Sequence, residues 1–122
     1  MSRPIKYAAI VGCLAVLLGA FGAHGLEGRI SEKALQVWST ANRYHFLHAL
    51  AILALEIGTC WGLSRTRPAL ALWSVGLLLF SGSLYVYAFA GLKLAAMVAP
   101  IGGLSYAAGW LSLLMVQVDN DR

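Results

Sequence analysis

YAAIVGCLAVLLGAFGAHGL, residues 7–26, decides how this chain folds: from Tyr7 to Ala23 no side chain is charged, and only His24 interrupts the run before Leu26. A hydrocarbon core needs about 20 such residues wound as an α-helix, the form that satisfies every backbone donor and acceptor within its own segment. Outward from this stretch, runs of the same kind return at residues 44–63, 69–91 and 97–118. Four such runs fill most of 122 residues, leaving one membrane domain, 1–122, and no separate soluble module. Composition agrees, with 60% hydrophobic and 11% charged residues, where soluble domains carry about 25% charged. The expected fold is an all-α membrane protein, a four-helix transmembrane bundle.

The links fit that division. Ser64-Arg65-Thr66-Arg67-Pro68 is short and charged, with a proline where a helix can begin, and Gly91-Leu92-Lys93 is equally short, so neighbouring helices run antiparallel. The longest link, Glu27 to Arg43, holds Ser31 as a helix N-cap, then Ala34, Val37, Trp38 and Ala41 at helical spacing among polar neighbours. This predicts a short amphipathic helix over 31–43 lying at the interface, with Trp38 at headgroup depth. The alternative is an extension of the second span. Trp61, Trp73, Trp110, Tyr85 and Tyr87 fall near predicted span ends and read as interfacial anchors.

The net charge of +4 comes from nine Lys and Arg residues scattered between apolar runs, with no stripe that would follow a nucleic acid. Arg3, Lys6, Arg65, Arg67 and Arg122 fall on one face of the membrane and Arg29, Lys33, Arg43 and Lys93 on the other. That balance places both termini in the cytoplasm. Arg3 and Lys6 ahead of an apolar run also have the form of a signal peptide, but the small residues of the run have a helical spacing that favours a retained span. Cys13 and Cys60 lie inside apolar runs and read as packing residues, without metal or disulfide spacing.

Ala8, Gly12, Ala15, Gly19 and Gly22 share one face of the first helix, and Gly102, Ser105 and Gly109 repeat the device in the fourth. In lipid such faces join helices through close van der Waals contact, so bulky residues at Gly12 or Gly19 are expected to impair packing.

The chemistry-bearing residues form a polar stripe. His45 and Glu56 are eleven residues apart, about 20° around a helix and about 16 Å along it, with His48 about 60° to one side. His24 ends the first span where His45 opens the second, which predicts three imidazoles near one leaflet. Glu56 is expected near mid-bilayer, within hydrogen-bonding reach of Ser81, Ser83, Tyr85 and Tyr106. Four uses are open: hydrogen-bonded glue between helices, proton or ion handling, a metal or haem site, and a lipid or quinone headgroup site. No H-E-x-x-H, cysteine pair, nucleophile elbow, phosphate-binding loop or paired catalytic carboxylates occur, so no catalytic residue, metal ligand or enzyme is expected, and any cofactor is unknown.

Gly19-Ala20-Phe21-Gly22-Ala23-His24-Gly25-Leu26, Tyr44-His45 with His48-Ala49-Leu50, Phe80-Ser81-Gly82-Ser83-Leu84-Tyr85 and Pro100-Ile101-Gly102-Gly103 carry a resemblance. Together and in this order they resemble the bacterial family called domain of unknown function 423, the small YgdD-like inner-membrane proteins, and are similar to the eukaryotic transmembrane protein 256. The resemblance covers nearly the whole chain, through Gly109-Trp110. It implies a compact four-helix protein of the bacterial cytoplasmic membrane and matches His24, Tyr44, His45, His48, Ser81, Tyr85, Pro100 and Gly102. Glu56 lies outside the matching words. The expected role is that of a non-enzymatic accessory or structural protein whose partners are the bilayer and either its own copies or a larger membrane complex. The alternative is a small proton- or ion-coupled transporter built on the His/Glu stripe.

Overall fold

The computed structural model describes residues 3–119, with side chains from residue 5 onward, so Arg122 of the charge count lies outside the described residues. Helix α1 (Arg3–Ala20) runs on through a π-helical turn, Phe21–Gly25, and stops where Gly28 takes a left-handed φ of 80°. Helix α2 is Glu32–Cys60, α3 is Arg67–Gly76 and α4 is Ser83–Ala90. A second π-helical turn, Leu77–Gly82, joins α3 to α4 in one continuous helix. Helix α5 (Lys93–Ser112) ends in a 3-10 turn, Leu113–Met115. It starts four residues earlier than predicted, with Pro100 inside it.

Local chemistry sets these ends. The Ser31 hydroxyl accepts the Ala34 N–H at 3.0 Å, the predicted N-cap. Pro68 sits in the first turn of α3, where a missing N–H costs nothing. Gly91, at φ 71°, closes α4 with its N–H on the Tyr87 carbonyl at 2.8 Å.

Two expectations are corrected here. No separate interfacial helix exists over 31–43, because those residues are the first turns of the 29-residue α2. Trp38, expected at headgroup depth, is buried, and with Asn42 it turns toward α1, while Glu32, Lys33, Gln36, Ser39 and Arg43 stay exposed. The fourth helical run also ends at Met115, short of Val118, because the chain then extends. Strand β1 (Leu63–Ser64) pairs antiparallel with β2 (Gln117–Val118), and the Asp119 N–H donates to the Gly62 carbonyl at 2.8 Å.

Three helical stretches, Ile5–Gly25, Arg67–Ala90 and Lys93–Met115, are long and apolar enough to cross a membrane. Helix α2 has the length but carries His45, His48 and Glu56 among its apolar residues. It lies between α1 and α4, while α5 packs on α3 and the second π turn. Large apolar side chains such as Leu17, Leu78, Leu94 and Leu104 point outward. The interior is largely small, aromatic and polar, with Ala8, Ala15, Ala41, Ala69, Trp73, Tyr106, His48 and Ser81 beside a few aliphatic residues such as Ile52 and Leu55. That inversion suits a lipid surround, which removes the penalty on exposed leucine. Trp61 is 78% exposed, whereas Trp73, also expected as an anchor, is 1% exposed and belongs to the core.

Candidate functional site

The polar side chains of α2 fall on two faces. Trp38, Asn42, His45 and Glu56 share the first, at spacings of four, three and eleven, and they run antiparallel along the backbone of α1. The Trp38 indole N–H donates to the Leu18 carbonyl at 2.8 Å, and the Asn42 amide donates to Ala15 at 2.7 Å. His45 Nε2 lies 3.0 Å from the Val11 carbonyl. Near the far end, Glu56 accepts the Ala8 backbone N–H at 3.3 Å. A carbonyl has two lone pairs, so those of α1 take these bonds beside their own helical ones.

Donor logic fixes the protons. The Val11 carbonyl can only accept, so His45 Nε2 carries a hydrogen. The Tyr85 hydroxyl lies 2.9 Å from His45 Nδ1 and accepts from the Asn42 amide at 3.1 Å. The set closes with the Tyr85 hydroxyl donating to Nδ1 and a neutral imidazole, since every donor then has one acceptor. Gly19 and Gly22 make the approach possible. A Cβ at Gly19 would stand 2.8 Å from Asn42 Oδ1, and one at Gly22 would overlap the Trp38 ring.

His48 marks the second face, toward α5. Its ring stacks on Tyr106 with centroids 3.7 Å apart and planes 10° apart. The Trp110 indole N–H, which can only donate, reaches His48 Nε2 at 3.0 Å, while Nδ1 lies 2.8 Å from the Tyr44 carbonyl. His48 is therefore neutral with its hydrogen on Nδ1, and both ring nitrogens are committed. The second π turn brings the buried Ser81 hydroxyl to the Tyr106 hydroxyl at 2.9 Å. Beneath this layer the backbones close up. A Cβ at Gly102 would overlap the Leu79 and Phe80 backbone, one at Gly76 the Tyr106 ring, and one at Gly109 the Trp73 ring. The indole N–H of Trp73 is buried without a hydrogen-bond partner among the described residues.

The structure therefore brings together only part of the predicted site. His45 with Tyr85, and Tyr44 with His48, do meet. His24 does not join them: it is exposed, and His45 is level with Val11, about 20 Å along α1 from residue 24. The reason is the extra length of α2, whose first three turns lie alongside α1. Glu56 lies toward one end of the helices, bonded to the Ala8 N–H and about 6 Å from the end of α2 at Cys60. Ser81, Tyr85 and Tyr106, expected to serve it, are engaged elsewhere. Gly12 does not pack: a Cβ there would meet nothing within 4 Å, and Val11 takes the buried place. Arg43, counted with the loop, lies within α2 one residue past the level of Ala15.

Asn42 and Gly76 are site residues that the sequence did not single out, while Trp38 and Trp110, expected at the interface, instead bond the Leu18 carbonyl and His48. For Trp38 and Asn42 a signal existed, since 38, 42, 45, 49, 52 and 56 alternate by four and three, the spacing of one helix face. Among the described residues no three His, Cys, Asp or Glu side chains gather where they could hold a metal ion.

Long apolar helices joined through buried backbone-directed hydrogen bonds define a small helical membrane protein. The chain belongs to the family described as "Protein of unknown function (DUF423)", which it matches over residues 18–103. It is 40% identical over 112 residues to the UPF0382 membrane protein YwdK of Bacillus subtilis, covering 90% of this chain and 91% of that one. It is 39% identical to a UPF0382 membrane protein of Haemophilus influenzae, covering 92% and 90%. To the UPF0382 inner membrane protein YgdD of Escherichia coli it is 40% identical over 114 residues, covering 89% and 84%. No solved structure matches the chain.

Proposed function

We propose that the chain crosses the bacterial cytoplasmic membrane four times, with both termini in the cytoplasm. In this reading it works as a non-enzymatic accessory or structural protein that binds its own copies or a larger membrane complex. The observation that carries the reading is the commitment of the buried polar groups. His45, His48, Asn42, Tyr85, Ser81 and Tyr106 spend their hydrogen bonds on one another, on Trp110 or on helix backbone. A proton relay or ligand site needs groups free to exchange partners, and these would first have to break bonds that join the helices. The fourth crossing is α2: its His45, His48 and Glu56 are buried against other helices, which is where polar side chains in a membrane belong.

Crosslinking in native membranes, followed by mass identification of neighbours, tests the reading. Self-crosslinks or one recurring membrane partner support it. The competing reading, a proton- or ion-coupled carrier, rests on Glu56 alone, the buried carboxyl with one long hydrogen bond. A proton flux in liposomes that disappears in Glu56→Gln would replace the scaffold with a carrier.

A further inference from the structure

A cavity of about 370 Å³ opens where α2 begins and the α4–α5 hairpin turns, lined by Ser31, Lys33, Val37, Tyr87, Phe89 and Lys93 among others. Its two cations come from segments sixty residues apart in sequence, and neither forms an ion pair among the described residues. Glu32, the acidic neighbour of Lys33, does not line it. No acidic side chain stands among the lining residues, so both charges on the cavity wall are positive.

Depth selects the ligand. One apolar stretch ends at Ala90 and the next begins at Lys93, so the cavity sits where hydrocarbon gives way to headgroups. The cations are at its rim, while Val37, Ala34 and Ala88 give it an apolar floor and the exposed rings and chains of Phe89, Leu92 and Leu94 flank it. A soluble anion would use only the lysines. A molecule with a negatively charged head and apolar tails would use both parts.

We propose that this cavity is a binding site for one anionic phospholipid, its phosphate held between Lys33 and Lys93 and its glycerol end and upper acyl chains on the apolar floor. The site is separate from the buried His48 and His45 layers and does not depend on what partner the protein binds.

The test uses the delipidated full-length protein in detergent, with native mass spectrometry counting bound lipid during titration with phosphatidylglycerol or phosphatidylcholine. Wild-type protein should bind one phosphatidylglycerol in preference to phosphatidylcholine. Each lysine changed to glutamine should weaken that binding roughly fivefold, the share of one basic residue at an anionic surface. Lys33→Gln/Lys93→Gln should bind the two lipids alike, while Lys6→Gln, a basic residue at the other end of α1, should keep the preference. If the double variant does not purify as a single species, the two single variants carry the test. An unchanged preference in Lys33→Gln and Lys93→Gln would overturn the site. So would inorganic phosphate or an acidic peptide displacing the lipid at equal concentration, either of which would assign the lysines to a soluble anion or to a protein.

Discussion

The seam between α1 and α2 and the seam between α3 and α5 solve one problem by different means. In lipid the hydrophobic effect does not drive helices together, so close packing and hydrogen bonds must. The first seam is polar: Trp38, Asn42 and His45 reach across to three carbonyls of α1. The second is mainly steric, with glycines 76, 102 and 109 letting backbone and aromatic rings approach and a single hydroxyl, Ser105, donating to the Leu72 carbonyl of α3 at 2.7 Å. His48 and Tyr106 tie the two halves through a stacked pair. A hydrogen-bonded seam should fail in small steps as bonds are removed, whereas a seam of backbone contact should fail at once when a side chain intrudes.

The largest effect is therefore expected at Gly102. Gly102→Leu forces a side chain into the Leu79–Phe80 backbone, and overpacking of this kind costs about 3 kcal/mol or more when the obstacle cannot move. Size-exclusion profiles in detergent should show loss of the monodisperse protein. Next comes His48→Phe, which keeps the stack on Tyr106 but leaves the Trp110 N–H without its acceptor. A loss of about 1–3 kcal/mol should appear as a lowered melting temperature in the same detergent. Asn42→Leu removes two bonds of the polar seam, each worth about 0.6 kcal/mol on average between membrane helices, so a smaller shift is expected by the same measurement. Gly12→Ala should change stability by less than about 0.5 kcal/mol, the range for substitutions that touch nothing. Gly19→Ala, meeting Asn42 Oδ1 at 2.8 Å, should cost measurably more than Gly12→Ala. Equal effects at Gly12 and Gly19 would erase the distinction between a packed and an open face.

Much of this arrangement is legible in the sequence because lipid demands long apolar runs and small residues at contacts. Gly19, Gly22, Gly102 and Gly109 are found that way, as is the buried placement of His45, His48 and Glu56. What spacing cannot supply is the partner. Gly12 and Val11 both flank the small face, and only the side on which α2 lies decides which of them is buried. The polarity of residues 31–43 has two physical causes, water outside or backbone carbonyls of a neighbouring helix, and Trp38 and Asn42 show the second at work. Predicted depth placed Ser81, Tyr85 and Tyr106 beside Glu56, but Tyr85 meets His45, and Tyr106, bonded to Ser81, stacks on His48, eleven and eight residues along α2 from Glu56. The π turns at Phe21–Gly25 and Leu77–Gly82 have no sequence pattern to announce them. The β1–β2 pair, two residues a side, is too short for any periodicity.

The central claim is that both buried histidines serve as neutral hydrogen-bonding links between helices. Nitrogen-15 NMR of the histidine-labelled protein in lipid bilayers at neutral pH reads this directly. His45 and His48 should give two neutral imidazoles of opposite tautomer, with the hydrogen on Nδ1 in His48 and on Nε2 in His45, beside the separate signal of exposed His24. A doubly protonated ring at His45 or His48, or a hydrogen on Nε2 of His48, would contradict it.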